Sequence, residues 1–553
     1  MLTANAMTGA REEYLSYGMK GYVTGDCAAI EDIYTGHYYV ETAEEATAQG
    51  LKAGVDSDCG SVYQRSAISA YEKGLITMAD IDRALVNMFT IRMRTGEFDP
   101  EEMVPYTKAP ASVVNSAANQ ALSVELASRT PVLLKNEHKV LPIDASEIKT
   151  IALIGPQADD VELGPYSGRP EQSSMISPYA GIKSWLEKNG KDVEIKLVSG
   201  ADTRSKSNLL YVIYFELTKA DGTVTRYDAT KFSASSDGIT VGSGMGDEDQ
   251  VRPIDDGAWT AYDNVDLTDV ESLTVGLNIP TEGGIIEARV SSPEGNLVAT
   301  IEATKAAGVH VGGVYGSSMP VQTKVLKLGL NEPQTLYLVY KAPADAPIDE
   351  NTLSAARDAD VAVVFVGTDE HTATEEADRL TLKLPGNQLS LIQAVAGVNK
   401  NTVVVMQTLG CVEVEEFKNL ENIPGILWTG YNGEGQGAAI AKILFGDITP
   451  GGKLNATWFK SVNDLPAITN YNLRGGADFN GRTHWYFGKP VSYEFGYGIS
   501  YTTFEYSNFS ISKSEISPAD HITVSVDVTN TGDFDGDEVV QIYMTTPDSP
   551  ATM

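Results

Sequence analysis

Two stretches of this chain put carboxylates where chemistry could use them. Gly21-Tyr-Val-Thr-Gly-Asp26-Cys27 is a short apolar run that stops on Asp26 with no basic neighbour in sequence. In parallel α/β folds the carboxyl ends of the strands face the active site, because the βα loops build that face. Asp26 therefore stands where a barrel enzyme puts a nucleophile. It also stands where a helix N-cap would, ahead of the helix-like Cys27–Tyr34, and Asp accepts amide hydrogen bonds well there. The second stretch is the acidic loop Gly367–Arg379, which follows the apolar run Val361–Val366. Glu375 and Glu376 are adjacent in it, and crowding of carboxyls raises a pKa toward general-acid use. The competing reading is a solvated loop with Asp378 and Arg379 in ordinary ion pairs.

The elements that must position these residues are of several kinds, and the chain reads as an α/β multidomain protein. Residues 1–110 alternate strand-like runs (Met1–Thr3, Tyr22–Thr24, Ala53–Val55) with helices, which is βα repetition. A complete eight-fold barrel takes about 250 residues, so this segment reads as its C-terminal part. The last helix opens on Thr77 with Asp80 three residues on, a capping-box pattern. It carries Ile81, Leu85, Met88 and Met93, a face expected to be core. Residues 111–204 and 346–504 form two parts of an α/β sandwich. Its strands Thr150–Ile154, Val361–Val366, Thr402–Met406 and Gly425–Trp428 are continuously apolar, as in a parallel sheet covered on both faces. Helices at Leu389–Val398 and Gly437–Phe445 supply the cover. Residues 205–345 interrupt this domain with short alternating strands, the texture of a β-sandwich. Residues 505–553 alternate again, at His521–Val528 and Val539–Tyr543, like the start of an immunoglobulin or fibronectin type III-like sandwich. Both ends are expected to fall within domains.

With 41 basic against 75 acidic residues the formal charge is −34. Such a surface repels phosphate backbones and anionic lipid, so neither nucleic acid nor a membrane surface is an expected partner. Neutral substrates such as sugars fit. The chain has 3 cysteines and 6 histidines, with no Cys-x-x-Cys pair, and no metal site is expected. Cys27 and Cys59 each follow an aspartate at the end of a strand-like run, so adjacent strands could bring them within bonding reach. There is no apolar run of membrane-spanning length and no signal-peptide pattern at the start. Gly433-Glu-Gly-Gln-Gly-Ala438 satisfies a dinucleotide fingerprint, but the ribose-binding carboxylate expected about twenty residues on is absent. Tight helix–sheet packing is the expected use of those glycines, and no cofactor is expected.

Taken in order, several motifs resemble glycoside hydrolase family three. They are Gly21–Ile30, Ala53–Gly60, Val132–Asn136 with Leu141-Pro142, Ile154-Gly-Pro156, Tyr166-Ser-Gly168, and Asp378-Arg379 with Leu384-Pro385. Gly425–Tyr431, Leu444–Asp447, Gly481–Thr483 and Phe495–Tyr501 complete the series. The resemblance implies a retaining, exo-acting β-glycosidase acting on plant-wall oligosaccharides or aryl glycosides by double displacement. Asp26 matches the nucleophile position, and Glu375, three residues before Asp378, matches the acid/base. Cys after the nucleophile resembles the β-xylosidase branch more than the β-glucosidase branch, so xylosides are the expected substrates and glucosides the alternative. An inactive carbohydrate-binding fragment is the alternative from another class. The resemblance also implies that the full-length protein is secreted or periplasmic. The inserted sandwich looks like a jelly-roll carbohydrate-binding module, with Trp259, Tyr262 and Tyr315 as candidate sugar-stacking residues. The sequence leaves the oligomeric state open.

Overall fold

The computed structural model describes residues 21–164, 166–168, 170–200, 210–236, 238–243, 249–253, 256–278, 283–304, 319–326, 330, 332–341, 348–369, 372–373, 379, 381–466, 470, 472–476, 480–517 and 520–544. The chain divides into two compact units, Met1–Ser116 and Ala117–Met553.

In the first unit two short segments lie parallel, bridged at Thr24 and Ser57. Gly25 N donates to Ser57 O at 2.8 Å and Asp56 N to Val23 O at 2.7 Å. Thr42 and Thr77 open the helices Ala43–Ala53 and Met78–Arg94, each in a complete capping box, with Glu45 and Asp80 respectively. Two small clusters form the core, one around Leu51, Ala70 and Ile76, the other around Ile30, Val55 and Val62. One expectation fails here. The apolar face of Met78–Arg94 is largely open, with Leu85 42% and Met93 64% exposed and Ala84 its only buried residue. Periodicity identifies an apolar face, but not what covers it.

The second unit is built on a six-stranded sheet. Its strands are β1 (Val132–Asn136), β2 (Thr150–Ile154), β3 (Glu194–Val198) and, after a long insertion, β15 (Val361–Gly367), β16 (Thr402–Gln407) and β17 (Gly425–Thr429), in the order β1-β17-β16-β15-β2-β3. All neighbours are parallel except β1 against β17. Alternate residues of one strand serve opposite cores. Val363 and Phe365 pack with Ile182 and Ile440, whereas Val364 and Val366 pack with Leu391 and Val395. Burial on both faces explains the unbroken apolar runs.

The insertion holds β4 (Tyr211–Lys219), β5 (Val224–Asp228), β6 (Ala234–Ser235), β7 (Ile239–Ser243), β8 (Asp249–Pro253), β9 (Trp259–Val265), β10 (Val270–Asn278), β11 (Gly283–Val290), β12 (Asn296–Thr304), β13 (Met319–Lys324) and β14 (Gln334–Lys341). They form two antiparallel sheets, β13-β10-β4-β8-β7 with β5 on β4, and β12-β11-β14-β9-β6. Phe215, Leu273, Ile286, Leu338 and Tyr340 lie in the shared core between them. Near the C-terminus β18 (Phe504–Ile511) and β19 (Val524–Asn530) make an antiparallel pair. Val539–Tyr543, read above as a strand, has no strand pairing among the described residues.

Gly437, in the run Gly433–Ala438, serves close packing, as expected, but between helices. A Cβ on Gly437 would lie 2.0 Å from Ser177 O, and one on Gly181 would lie 2.1 Å from Gly437 O. Only glycine lets the helices Pro178–Lys188 and Gln436–Leu444 approach this closely.

Candidate active site

Asp26 ends the first of the two parallel segments of the first unit, and its side chain is exposed. It is not a helix cap. The short helix Ala29–Asp32 takes Ala28 as its N-cap, and no side chain caps it. The Asp26 carboxylate instead accepts the amide of Cys27 at 2.9 Å. Cys27 and Cys59 are bonded, with their Cα atoms 4.3 Å apart.

The two aspartates of the neighbouring segment are engaged differently. Asp56 is buried. It accepts Val23 N at 3.1 Å and Asn87 Nδ2 at 3.2 and 3.3 Å, tying the parallel segments to the helix Met78–Arg94. Asp58 Oδ2 accepts the amides of Val62 and Tyr63 at 2.9 and 3.2 Å, satisfying donors at the start of the helix Val62–Glu72. Burial, and then the charges of Asp58 and Asp56, push the Tyr63 phenol well above its usual value. Its Oη donates to Val55 O at 3.1 Å. Of the three aspartates, Asp26 is the one whose carboxylate faces solvent.

In the second unit the acidic loop leaves the carboxyl end of β15, where a layer of buried amides fixes the backbone. Gln388 grips Gly367 from both sides, accepting its N–H at 2.7 Å and donating to its carbonyl at 2.9 Å. Gln157 Nε2 donates to Thr368 O at 2.6 Å. Thr368 Oγ1 accepts Leu409 N at 3.0 Å and meets Tyr431 Oη at 2.8 Å. Burial raises the Tyr431 phenol pKa strongly, so it stays a neutral hydroxyl. Sequence reading passed over Gln157, Thr368 and Gln388. Polar residues just beyond the apolar strands were the available signal, because a buried amide there must find backbone partners.

The loop then turns on Asp369. This buried side chain accepts Thr372 N and Thr372 Oγ1, both at 2.9 Å. Further on, Arg379 Nη2 donates to Cys411 O at 2.9 Å, and burial disfavours the charge of the guanidinium. Glu375, with its neighbours Glu376 and Asp378, lies outside the described residues.

The three aromatic candidates of the insertion have different fates. Tyr262 is core: it is 4% exposed, sits edge-on to Phe215, and donates to Ala229 O at 2.7 Å. Its phenol is pushed up to about 12 by burial. With no open ring face it cannot stack on a sugar, which corrects the sequence reading. The alternation of β9 turns it inward. Trp259 is half-buried and packs edge-on against Tyr337, with ring centroids 5.4 Å apart. Tyr315 lies outside the described residues. Among the described residues no group of three or more His, Cys, Asp or Glu could hold a metal ion, and no helix is long and apolar enough to cross a membrane.

Residues 131–501 match the family described as glycosyl hydrolase family 3 C-terminal domain. Among curated proteins, the chain is 25% identical to probable beta-D-xylosidase 6 of Arabidopsis thaliana, over 96% of this chain and 54% of the relative. It is also 25% identical to the xylan 1,4-beta-xylosidase of Xylanibacter ruminicola, over 97% of this chain and 62% of the relative. Among solved structures, the GH3 exo-beta-xylosidase XlnD bound to a xylobiose aziridine probe has a TM-score of 0.57 at 23% identity, covering 89% of this chain and 45% of that one. A beta-glucosidase from Erythrobacter marinus also gives 0.57 at 23% identity, covering 94% and 53%. The chain thus spans about half the length of the plant xylosidase named above.

Proposed function

The chain belongs to glycosyl hydrolase family 3, and from that premise we propose that it is, or is part of, a retaining, exo-acting β-glycosidase that removes terminal sugars from plant-wall oligosaccharides. β-Xylosides are the first substrate class, because the curated relatives named above are xylosidases. β-Glucosides are the second, on the likeness to a beta-glucosidase. The observation that carries the reading is Asp26, an exposed carboxylate following a parallel-paired segment, in a stretch that resembles the family's nucleophile motif.

In this reading Asp26 attacks the anomeric carbon while Glu375 protonates the departing glycosidic oxygen. Water, deprotonated by Glu375, then hydrolyses the glycosyl-Asp26 ester. The nucleophile has to be ionised and the acid protonated in the first step; in the second Glu375 has to be ionised to take the proton of water, and Asp26 departs as a carboxylate. Secretion or periplasmic export of the full-length protein is part of the same proposal, as are a barrel origin for residues 1–110, a carbohydrate-binding role for the inserted sandwich with Trp259 and Tyr315 as its contacts, and a fibronectin type III-like identity for the C-terminal pair of strands.

The test is turnover of 4-nitrophenyl β-xyloside and β-glucoside by the chain and by the longest protein its gene encodes. Asp26→Ala should cut kcat on the order of 10⁴-fold, the scale of losing a covalent nucleophile. Glu375→Gln should cost about 10²- to 10⁴-fold, most on substrates with poor leaving groups, which need the proton. Sugar binding without turnover would instead favour the carbohydrate-binding alternative.

A further inference from the structure

We infer that the Cys27–Cys59 disulfide is a positioning device for the Asp26 carboxylate, an inference that rests on the glycosidase reading above. Asp26 is tied on both sides to one neighbouring segment. Before it, Gly25 N donates to Ser57 O at 2.8 Å; after it, Cys27 is bonded to Cys59, and Ala28 N donates to Cys59 O at 2.8 Å. That segment is itself held, since Asp58 accepts the backbone amides of Val62 and Tyr63, and Asp56 accepts Asn87 Nδ2 from the helix Met78–Arg94. The chain around Asp26 therefore turns against a fixed post.

The turn is one its own sequence does not favour. Ala28 has φ 61° and ψ −2°, the left-handed region in which a Cβ is crowded. The helix that follows is four residues long and has no side-chain cap, so it offers little to hold the turn. A covalent tie spanning 32 residues of sequence restricts the alternatives. The carboxylate of Asp26 also takes its orientation from the amide of Cys27, the residue that carries the bond. A nucleophile displaced by about 1 Å loses about 10²-fold in rate, because attack requires near-contact geometry. Both cysteines are exposed, so a reductant in solution can reach them.

The test compares the oxidised chain, the chain reduced with dithiothreitol and alkylated, and the Cys27→Ser/Cys59→Ser double variant. With 4-nitrophenyl β-xyloside, loss of the bond should lower kcat by about ten- to a hundredfold with KM changed less than about threefold. The rate of covalent inactivation by a 2-deoxy-2-fluoro-xyloside should fall by the same factor. Reoxidation of a reduced but unalkylated sample should restore both.

A second arm separates positioning from general support of the fold. In Asp26→Gly, azide attacks the anomeric carbon directly, a C–N bond forming as the C–O bond breaks and nitrophenolate leaves with the electron pair. No carboxylate needs aiming there, so the azide-supported rate should be the same with and without the disulfide. Retention of kcat within about twofold after loss of the bond overturns the inference. So does an azide-supported rate that falls as far as the native one. No turnover by the oxidised form of the longest protein its gene encodes overturns the glycosidase reading and the inference with it, and undiminished turnover by Asp26→Gly overturns the assignment of Asp26 as nucleophile, on which the inference rests.

Discussion

Asp26 and Asp369 invite the same description: each follows a segment in parallel pairing, and each opens a loop. Their surroundings are opposite. Asp26 is exposed, and its carboxylate accepts the amide of the next residue. Asp369 is buried and accepts both the amide and the hydroxyl of Thr372, which closes a turn. The same residue type after the same kind of strand is available for chemistry in one region and structural in the other. Burial and the number of donors aimed at the carboxylate decide which.

Exchanging the roles experimentally tests that contrast most severely. Asp26→Ala should abolish turnover on the scale given above while leaving the melting temperature nearly unchanged, since exposed substitutions typically shift stability by no more than about 0.5 kcal/mol. Asp369→Ala should do the reverse, costing about 1–3 kcal/mol for unmet buried hydrogen bonds, read by urea unfolding, with less than about a tenfold effect on kcat. The reverse pattern would show that the donors around Asp369 do not confine it to structure.

A smaller effect divides the aromatic residues of the insertion. Tyr262→Phe leaves Ala229 O without its donor and should destabilise the sandwich by about 1–3 kcal/mol without altering xylohexaose binding. Trp259→Ala should weaken that binding by up to about tenfold if the outer face of β9 carries sugar, the scale of one aromatic contact. Unchanged affinity in isothermal titration would leave Trp259 a packing residue.

The smallest effect concerns Asp266, whose carboxyl is held down at about 2, chiefly by the Lys219 ammonium 2.6 Å away. A depressed carboxyl contributes stability above its unfolded value, near 4, and loses it as pH falls through the folded value. The melting-temperature gap between wild type and Asp266→Asn should therefore be widest near neutrality and close between about pH 4 and pH 2. Both partners are partly exposed, so the gap should be slight.

Much of the architecture was legible in the residues. The apolar runs at Thr150–Ile154, Val361–Val366, Thr402–Met406 and Gly425–Trp428 are strands within a residue or so of the expected bounds. Burial on both faces leaves little choice but apolar side chains there. The Thr77–Asp80 capping box formed as read, because its partners are three residues apart. Other readings depended on distant partners. The exposed face of Met78–Arg94, the unpaired Val539–Tyr543 and the inward turn of Tyr262 all turn on what lies across from a segment. The same holds for the helix–helix contact at Gly181 and Gly437, which looked in sequence like helix–sheet packing.

The sequence alone determined the composition of the elements, the family motifs and the identity of Asp26 and Glu375 as candidates, because propensity, periodicity and motif spacing are local. Tertiary structure decided the rest. It joined Cys27 to Cys59, left the Asp26 carboxylate in solvent where the residues alone had also offered a helix cap, and engaged Asp369, Asp56 and Asp58 in backbone hydrogen bonds. A carboxylate's role depends on which donors the fold brings within about 3 Å and how much water it leaves, and neither quantity is written in the neighbouring residues.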